Sequence, residues 1–192
     1  SRDAARVATK TVGETWRLLE RQFDSARLAY GHGTSNAREE ALWVIAHVLR
    51  IPFDAFGASL DRQVSSTSER RIAAIADRRV SSRRPLAHVL GSAWLGPHRF
   101  HVNRNVIVPR SFIAALLPDG LTPWLPQPAR VGRILDLCTG SGCLAILAAL
   151  AYPRAQVDAV DISAAALAVA KRNVSDYRLD RRIRLSHADL FE

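Results

Sequence analysis

Through the front of the chain, apolar residues recur three and four positions apart. Trp16, Leu18, Leu19, Phe23, Ala26 and Tyr30 keep that spacing until Gly31 and Gly33 interrupt it, which predicts a first helix ending before those glycines. Asn36 and Glu39 have the spacing of a capping box. They open a second helix with Ala41, Leu42, Val44, Ile45, Val48 and Leu49 turned inward, stopped near Pro52. Ser66 and Glu69 repeat the device for a third helix, which buries Ile72, Ile75, Ala76 and Val80 and exposes Arg70, Arg71, Arg78 and Arg79 before Pro85.

The pattern then changes. Leu86 to Leu95 and Arg99 to Val108 are rich in Val, Leu, Phe, Trp and His and are divided by Gly96-Pro97, which reads as a β-hairpin serving as a connector. Ser111 can cap a short helix from Phe112 to Leu117, and Pro123, Pro126 and Pro128 stiffen the loop that follows. From Val131 onward, strand, glycine turn, helix, strand, helix and strand alternate. The strands are Arg133 to Cys138, Gln156 to Asp161 and Ile183 to Ser186; the helices are Cys143 to Tyr152 and Ala164, behind its cap Ser163, to about Val174. Such alternation predicts a parallel α/β sheet with right-handed crossovers.

Composition narrows the class. The 192 residues are 48% apolar, enough for a buried core and too many for a disordered chain. Two Cys cannot staple a secreted scaffold. The longest apolar run, Cys143 to Tyr152, is about half a membrane span. No charged-then-apolar signal segment is present, so the expected compartment is cytoplasmic, with no membrane partner. The net charge of +9 is uneven: residues 1–130 carry 19 basic and 11 acidic side chains, residues 131–192 carry 8 and 7. Nearly all the basic groups are Arg, which suits bidentate contact with phosphate or carboxylate. The Arg70 to Arg84 group could touch nucleic acid or an acidic protein patch, or could simply be a solvated helix face.

The candidate chemistry sits at the tips of the three strands. Asp136-Leu137-Cys138-Thr139-Gly140-Ser141-Gly142 places glycines between a strand and a helix, where backbone N–H groups and the positive end of the helix dipole can receive a ligand. It is not the dinucleotide pattern, since Ala145 stands where the last glycine would follow Gly140 and Gly142, and many such turns only pack a strand on a helix. Asp161 follows Gly142 by 19 residues, where doubly wound folds place an acid against ribose hydroxyls. Asp189 follows the third strand. In a parallel sheet these tips line one crevice, so Asp136, Gly140, Gly142, Asp161 and Asp189 are expected to converge on a nucleoside cofactor. Cys138 and Cys143 have no further Cys, and the six His show no ligand spacing, so no metal is expected.

This set resembles the class I methyltransferases, which bind S-adenosylmethionine in a Rossmann-like domain. Asp136 to Cys143, Ala159-Val160-Asp161-Ile162-Ser163, Ala166 to Ala170, Asn173 and Asp189-Leu190-Phe191 are similar to the bacterial protein-glutamine N-methyltransferases. Tyr30-Gly31-His32-Gly33-Thr34, Val106 to Ser111 and Cys138 resemble the branch acting on a large-subunit ribosomal protein; the release-factor branch usually has Gly where Cys138 stands. The resemblance implies that the backbone of Cys138, Thr139, Gly140, Ser141 and Gly142 holds the methionine part of the cofactor. It implies that Asp161 bonds the ribose and that Asp189 with Leu190 borders the adenine. The family's catalytic Asn-Pro-Pro-Tyr is not in the sequence, so the chain is expected to be the front two thirds, or less, of a longer enzyme. Phe112 and Ala115 depart from the Pro and Glu usual in that branch. The implied organisation is a helical substrate-recognition domain over 1–84, a hairpin connector over 85–108 and a partial methyltransferase domain over 109–192. The rival expectations are a release-factor glutamine methyltransferase, a nucleic-acid amino-methyltransferase, and an inactive cofactor- or substrate-binding piece.

Overall fold

A computed structural model describes residues 9–190, which fall into two compact units, within 1–89 and 90–192. Phe191 of the Asp189-Leu190-Phe191 motif, and Glu192, lie outside the described residues.

In the first unit, α1 (Val12–Ser25) opens on a full capping box: the Glu14 amide donates to Thr11 Oγ1 (3.2 Å) and the Thr11 amide to the Glu14 carboxylate (2.8 Å). Helix α2 (Ala37–Leu49) is capped by Asn36, whose Oδ1 accepts from the Glu39 amide at 2.9 Å; the Glu39 carboxylate serves the Ser35 amide instead. Helix α3 (Ser66–Ser82) is capped by Ser65, one residue before the expected Ser66, and Glu69 reaches toward Lys10 rather than closing a box. Tyr30 lies beyond α1, and Leu18 is exposed. Val12, Phe23, Ala41, Val44, Ile45, Val64 and Ala76 are fully buried.

Arg79 corrects the expected exposed arginine face. It is 1% exposed and lies in the core. Ile72, Ala76 and Arg79 stand four and then three residues apart, so the helical period puts Arg79 on the buried stripe. Its Nε donates to Glu40 Oε2 at 2.8 Å, and its Nη2 to Glu40 Oε1 (3.2 Å) and to the Ala29 carbonyl (2.9 Å). The Thr34 hydroxyl donates to Glu40 at 3.2 Å. The Tyr30–Thr34 stretch is thereby seated on a buried ion pair.

The segment Leu86 to Leu90, expected as strand, is a short helix, α4 (Leu86–Leu90); the Pro85 carbonyl accepts from the amides of His88 and Val89. Pro suits a first helical turn, and that outweighs the strand preference of Val and Leu.

The second unit begins with a hairpin, β1 (Ser92–Leu95) and β2 (His98–His101), turning through Gly96-Pro97 with Gly96 at φ +59°. Phe100 is fully buried in this unit's core and stacks on Tyr177 at 5.4 Å, so the hairpin packs within this unit. After α5 (Phe112–Leu116) come β3 (Arg133–Leu137), α6 (Cys143–Ala151), β4 (Gln156–Asp161), α7 (Ala164–Asp176) and β5 (Ile183–His187). The three strands are parallel in the order β3-β4-β5, the arrangement expected of an α/β domain. Ile146, Ala149, Val157, Ala159, Val174 and Ile183 pack between sheet and helices. On the other face Asp158 accepts from Arg133 (2.7 Å) and Arg184 (2.8 Å) across all three strands. The Arg133 bond and the neighbouring Arg184 hold the Asp158 carboxyl below its ordinary value. This contribution is present above the unfolded value and is lost as pH falls through the folded one; at these exposures it is worth less than about 1 kcal/mol. Among the described residues no helix is long and apolar enough to cross a membrane.

Candidate cofactor site

The registers bring the strand tips level: Leu137 of β3 pairs with Val160 of β4, and Asp161 with His187 of β5. The turn after β3 alternates in hand. Cys138, Gly140 and Gly142 all have positive φ, at +57°, +56° and +76°. Glycine adopts this freely; at Cys138, where the side chain is exposed, it costs about 1 kcal/mol. Such alternation aims successive backbone N–H groups inward and makes an anion- or carboxylate-binding concavity. The Thr139 amide is tied to the Val160 carbonyl (2.9 Å) and the Gly142 amide to the Thr139 carbonyl (2.8 Å).

Two acids organise the turn. Asp161 Oδ2 accepts from the Gly140 amide at 2.8 Å, and its Oδ1 from the Ser163 amide at 2.9 Å. The glycine turn and the end of β4 are thus physically joined. Each carboxylate oxygen keeps a second lone pair, so Asp161 can still accept from a ligand hydroxyl. Asp136, half-buried, accepts from the Thr139 hydroxyl at 2.6 Å. Burial pushes its carboxyl above the usual range, and the neighbouring Asp161 adds to that, while the Thr139 hydroxyl and the Ala145 amide pull it down. The folded state therefore favours the protonated form, so stability falls as pH rises from the unfolded value through the folded one. Asp136→Asn is expected to raise the midpoint of thermal unfolding at neutral pH and to flatten that slope, while weakening any ligand that relies on the charge. Thermal melts across pH check both parts.

Space over the turn is consistent with a bound group. A Cβ built on Gly140 would meet only the Cys138 carbonyl oxygen, at 3.9 Å. On Gly142 it would run into Ala170 at 3.1 Å, so one glycine serves the open side and the other the packing of α6 on α7. Ser141 and Thr139 are buried. Asp189 and Leu190 lie two and three residues past β5, on the exposed side of its end. An apolar groove of about 320 Å³, lined by Leu95, Pro97, Ala114, Leu117 and Leu150, lies at the opposite end of α6 from the glycine turn. No cluster of three His, Cys, Asp or Glu that could hold a metal occurs among the described residues.

Two supporting roles were not assigned from the sequence. Asn173, 1% exposed, donates from Nδ2 to the carbonyls of Ser141 (2.8 Å) and His101 (3.0 Å), and its Oδ1 accepts from the His101 amide (2.7 Å). It bolts the glycine turn to the hairpin through α7. His187 bonds the Ile162 carbonyl at 2.7 Å. An amide at the buried period of α7, four residues after Val169, was the available signal for the first; nothing local marked the second.

The Methyltransferase small domain family matches residues 119–192, and the PrmC N-terminal domain family matches residues 25–91. The chain is 50% identical over 187 residues to the "Ribosomal protein uL3 glutamine methyltransferase" of Bordetella pertussis, covering 97% of this chain and 63% of that one. It is 50% identical over 182 residues to the protein of the same name from Burkholderia pseudomallei (95% and 59%), and 47% identical to that of Neisseria meningitidis (95% and 60%). The chain thus spans about three fifths of the length of these curated relatives.

Proposed function

We infer the activity from a premise, that the chain belongs to the bacterial protein-glutamine N-methyltransferase family: the protein moves a methyl group from S-adenosylmethionine to a glutamine side-chain amide of a large-subunit ribosomal protein. The single observation that carries the cofactor half is the bond from the Gly140 amide to Asp161, which ties the glycine turn to the β4 acid. The backbone of Cys138 to Gly142 would hold the amino-acid part of the cofactor, Asp161 the ribose, and Asp189 with Leu190 the rim at the base; Asp136 braces the turn through Thr139. When bound, the cofactor supplies a methyl already electrophilic on a sulfonium. The chain's task is to fix that ligand so that an amide nitrogen, whose lone pair is delocalised, meets the methyl in line.

The helical unit over 1–84 is the proposed recognition domain. Arg70, Arg71, Arg78, Arg83 and Arg84 are exposed there and form the proposed ribosomal-RNA contact, from which Arg79 is withdrawn. Phosphate contact of this kind weakens steeply with salt.

The test offers the full-length protein labelled cofactor with the purified ribosomal protein, a release factor and RNA as acceptors. The expected product is a methylated glutamine in the ribosomal protein; label in the release factor or in RNA instead overturns the assignment. Asp161→Ala is expected to weaken S-adenosylhomocysteine by about 1–3 kcal/mol, read by calorimetry, because a charge-assisted hydrogen bond is lost. Unchanged affinity would remove Asp161 from the site.

A further inference from the structure

The turn that joins β4 to α7 is tied to β5 as well as to the glycine loop. Asp161 and His187 face each other in the register at the ends of β4 and β5. Just beyond them the Ala188 amide donates to the Asp161 carbonyl (3.3 Å), and Nε2 of His187 lies 2.7 Å from the Ile162 carbonyl. A carbonyl only accepts, so Nε2 carries the hydrogen in this bond. With the Asp161 carboxylate held by the amides of Gly140 and Ser163, the peptides on both sides of Ile162 are fixed in direction. The Ile162 side chain remains 65% exposed at the strand tip, beside the carboxylate assigned to the ribose.

The His187 ring is itself exposed, and water could serve the Ile162 carbonyl in its place. The bond therefore adds little to overall stability; what it supplies is orientation. We propose that His187 is a positioning residue for the nucleoside portion of the cofactor, acting through the Asp161–Ile162 ledge and not by touching the reacting atoms. This rests on the strand tips being the adenosyl site. A long side chain with an N–H at the right reach, and no charge requirement, is what the geometry asks for, so glutamine is the conservative replacement.

Calorimetry on the full-length protein tests it with two probes, S-adenosylhomocysteine and 5′-methylthioadenosine, which share the nucleoside but differ in the amino-acid tail. His187→Ala is expected to weaken both by the same factor, about 3- to 10-fold, with the ligand-free unfolding midpoint unchanged. His187→Gln is expected to stay within about twofold of wild type. Tight wild-type binding that His187→Ala leaves intact overturns the proposal and spares the cofactor site. Loss confined to the longer ligand, a glutamine variant as weak as the alanine one, or a ligand-free midpoint that falls with affinity also overturns it. Failure of the wild type to bind either probe removes the cofactor site itself, and the proposal with it.

Discussion

Glu40→Ala is expected to destabilise the helical unit by about 3–5 kcal/mol, the cost of stranding a buried guanidinium. Arg79 would keep only the Ala29 carbonyl as a partner, and the Thr34 hydroxyl would lose its acceptor. Hydrogen exchange of the α2 and α3 amides reads the loss locally, without interference from the second unit. Glu40→Gln keeps the shape and one acceptor and should cost less. A paired exchange, Glu40→Leu with Arg79→Leu, should recover most of the loss, since an apolar pair has no desolvation penalty to overcome. A single alanine variant within about 0.5 kcal/mol of wild type would mean that water reaches the pair.

Asn173→Leu is expected to cost about 2–5 kcal/mol. Three bonds end on that one amide, and leucine leaves the His101 amide and the carbonyls of His101 and Ser141 to find other partners in a nearly dry place. Cofactor binding should fall with it, because the Ser141 carbonyl is part of the glycine turn. Asn173→Asp sharpens the test. A carboxylate would point an oxygen at two carbonyl oxygens, so its folded pKa must lie above the unfolded value. Stability of that variant should therefore rise on acidification through the interval, as the protonated acid regains one donor. Thermal melts of wild type, Leu and Asp variants across the acidic range separate the cases; a flat profile for Asp would show that the cavity has opened to solvent.

The parts of the architecture that were readable in the sequence are those where local chemistry and periodicity agree. The glycine turn, the strands on either side of α6 and the caps Asn36 and Ser163 stand within a residue of their expected places, because each is set by a turn geometry or an end group close in sequence. Leu86 to Leu90 was not readable as helix, since its Val and Leu favour strand and only Pro85 argued otherwise. Arg79 was assigned to water by residue type, although its position on the stripe of Ile72 and Ala76 argued for burial; its partner Glu40 lies 39 residues earlier, beyond any local signal. The level register of the β3, β4 and β5 ends followed from parallel topology. The bonds of the Asp161 carboxylate to the Gly140 and Ser163 amides did not, because backbone partners are set only once register is fixed.

The crossing of α6 and α7 at Gly142 and Ala170 has a consequence for how such a chain can drift. Both positions already hold nearly the smallest residues available. A methyl added at 142 would stand 3.1 Å from the Ala170 Cβ and 3.3 Å from its Cα, and the φ of +76° strains any side chain there, so trimming position 170 to glycine would not remove the cost. No exchange of bulk between the two partners can rescue a change there. Descendants of this sequence can rewrite the outer side of either helix, but at this point they inherit a fixed spacer.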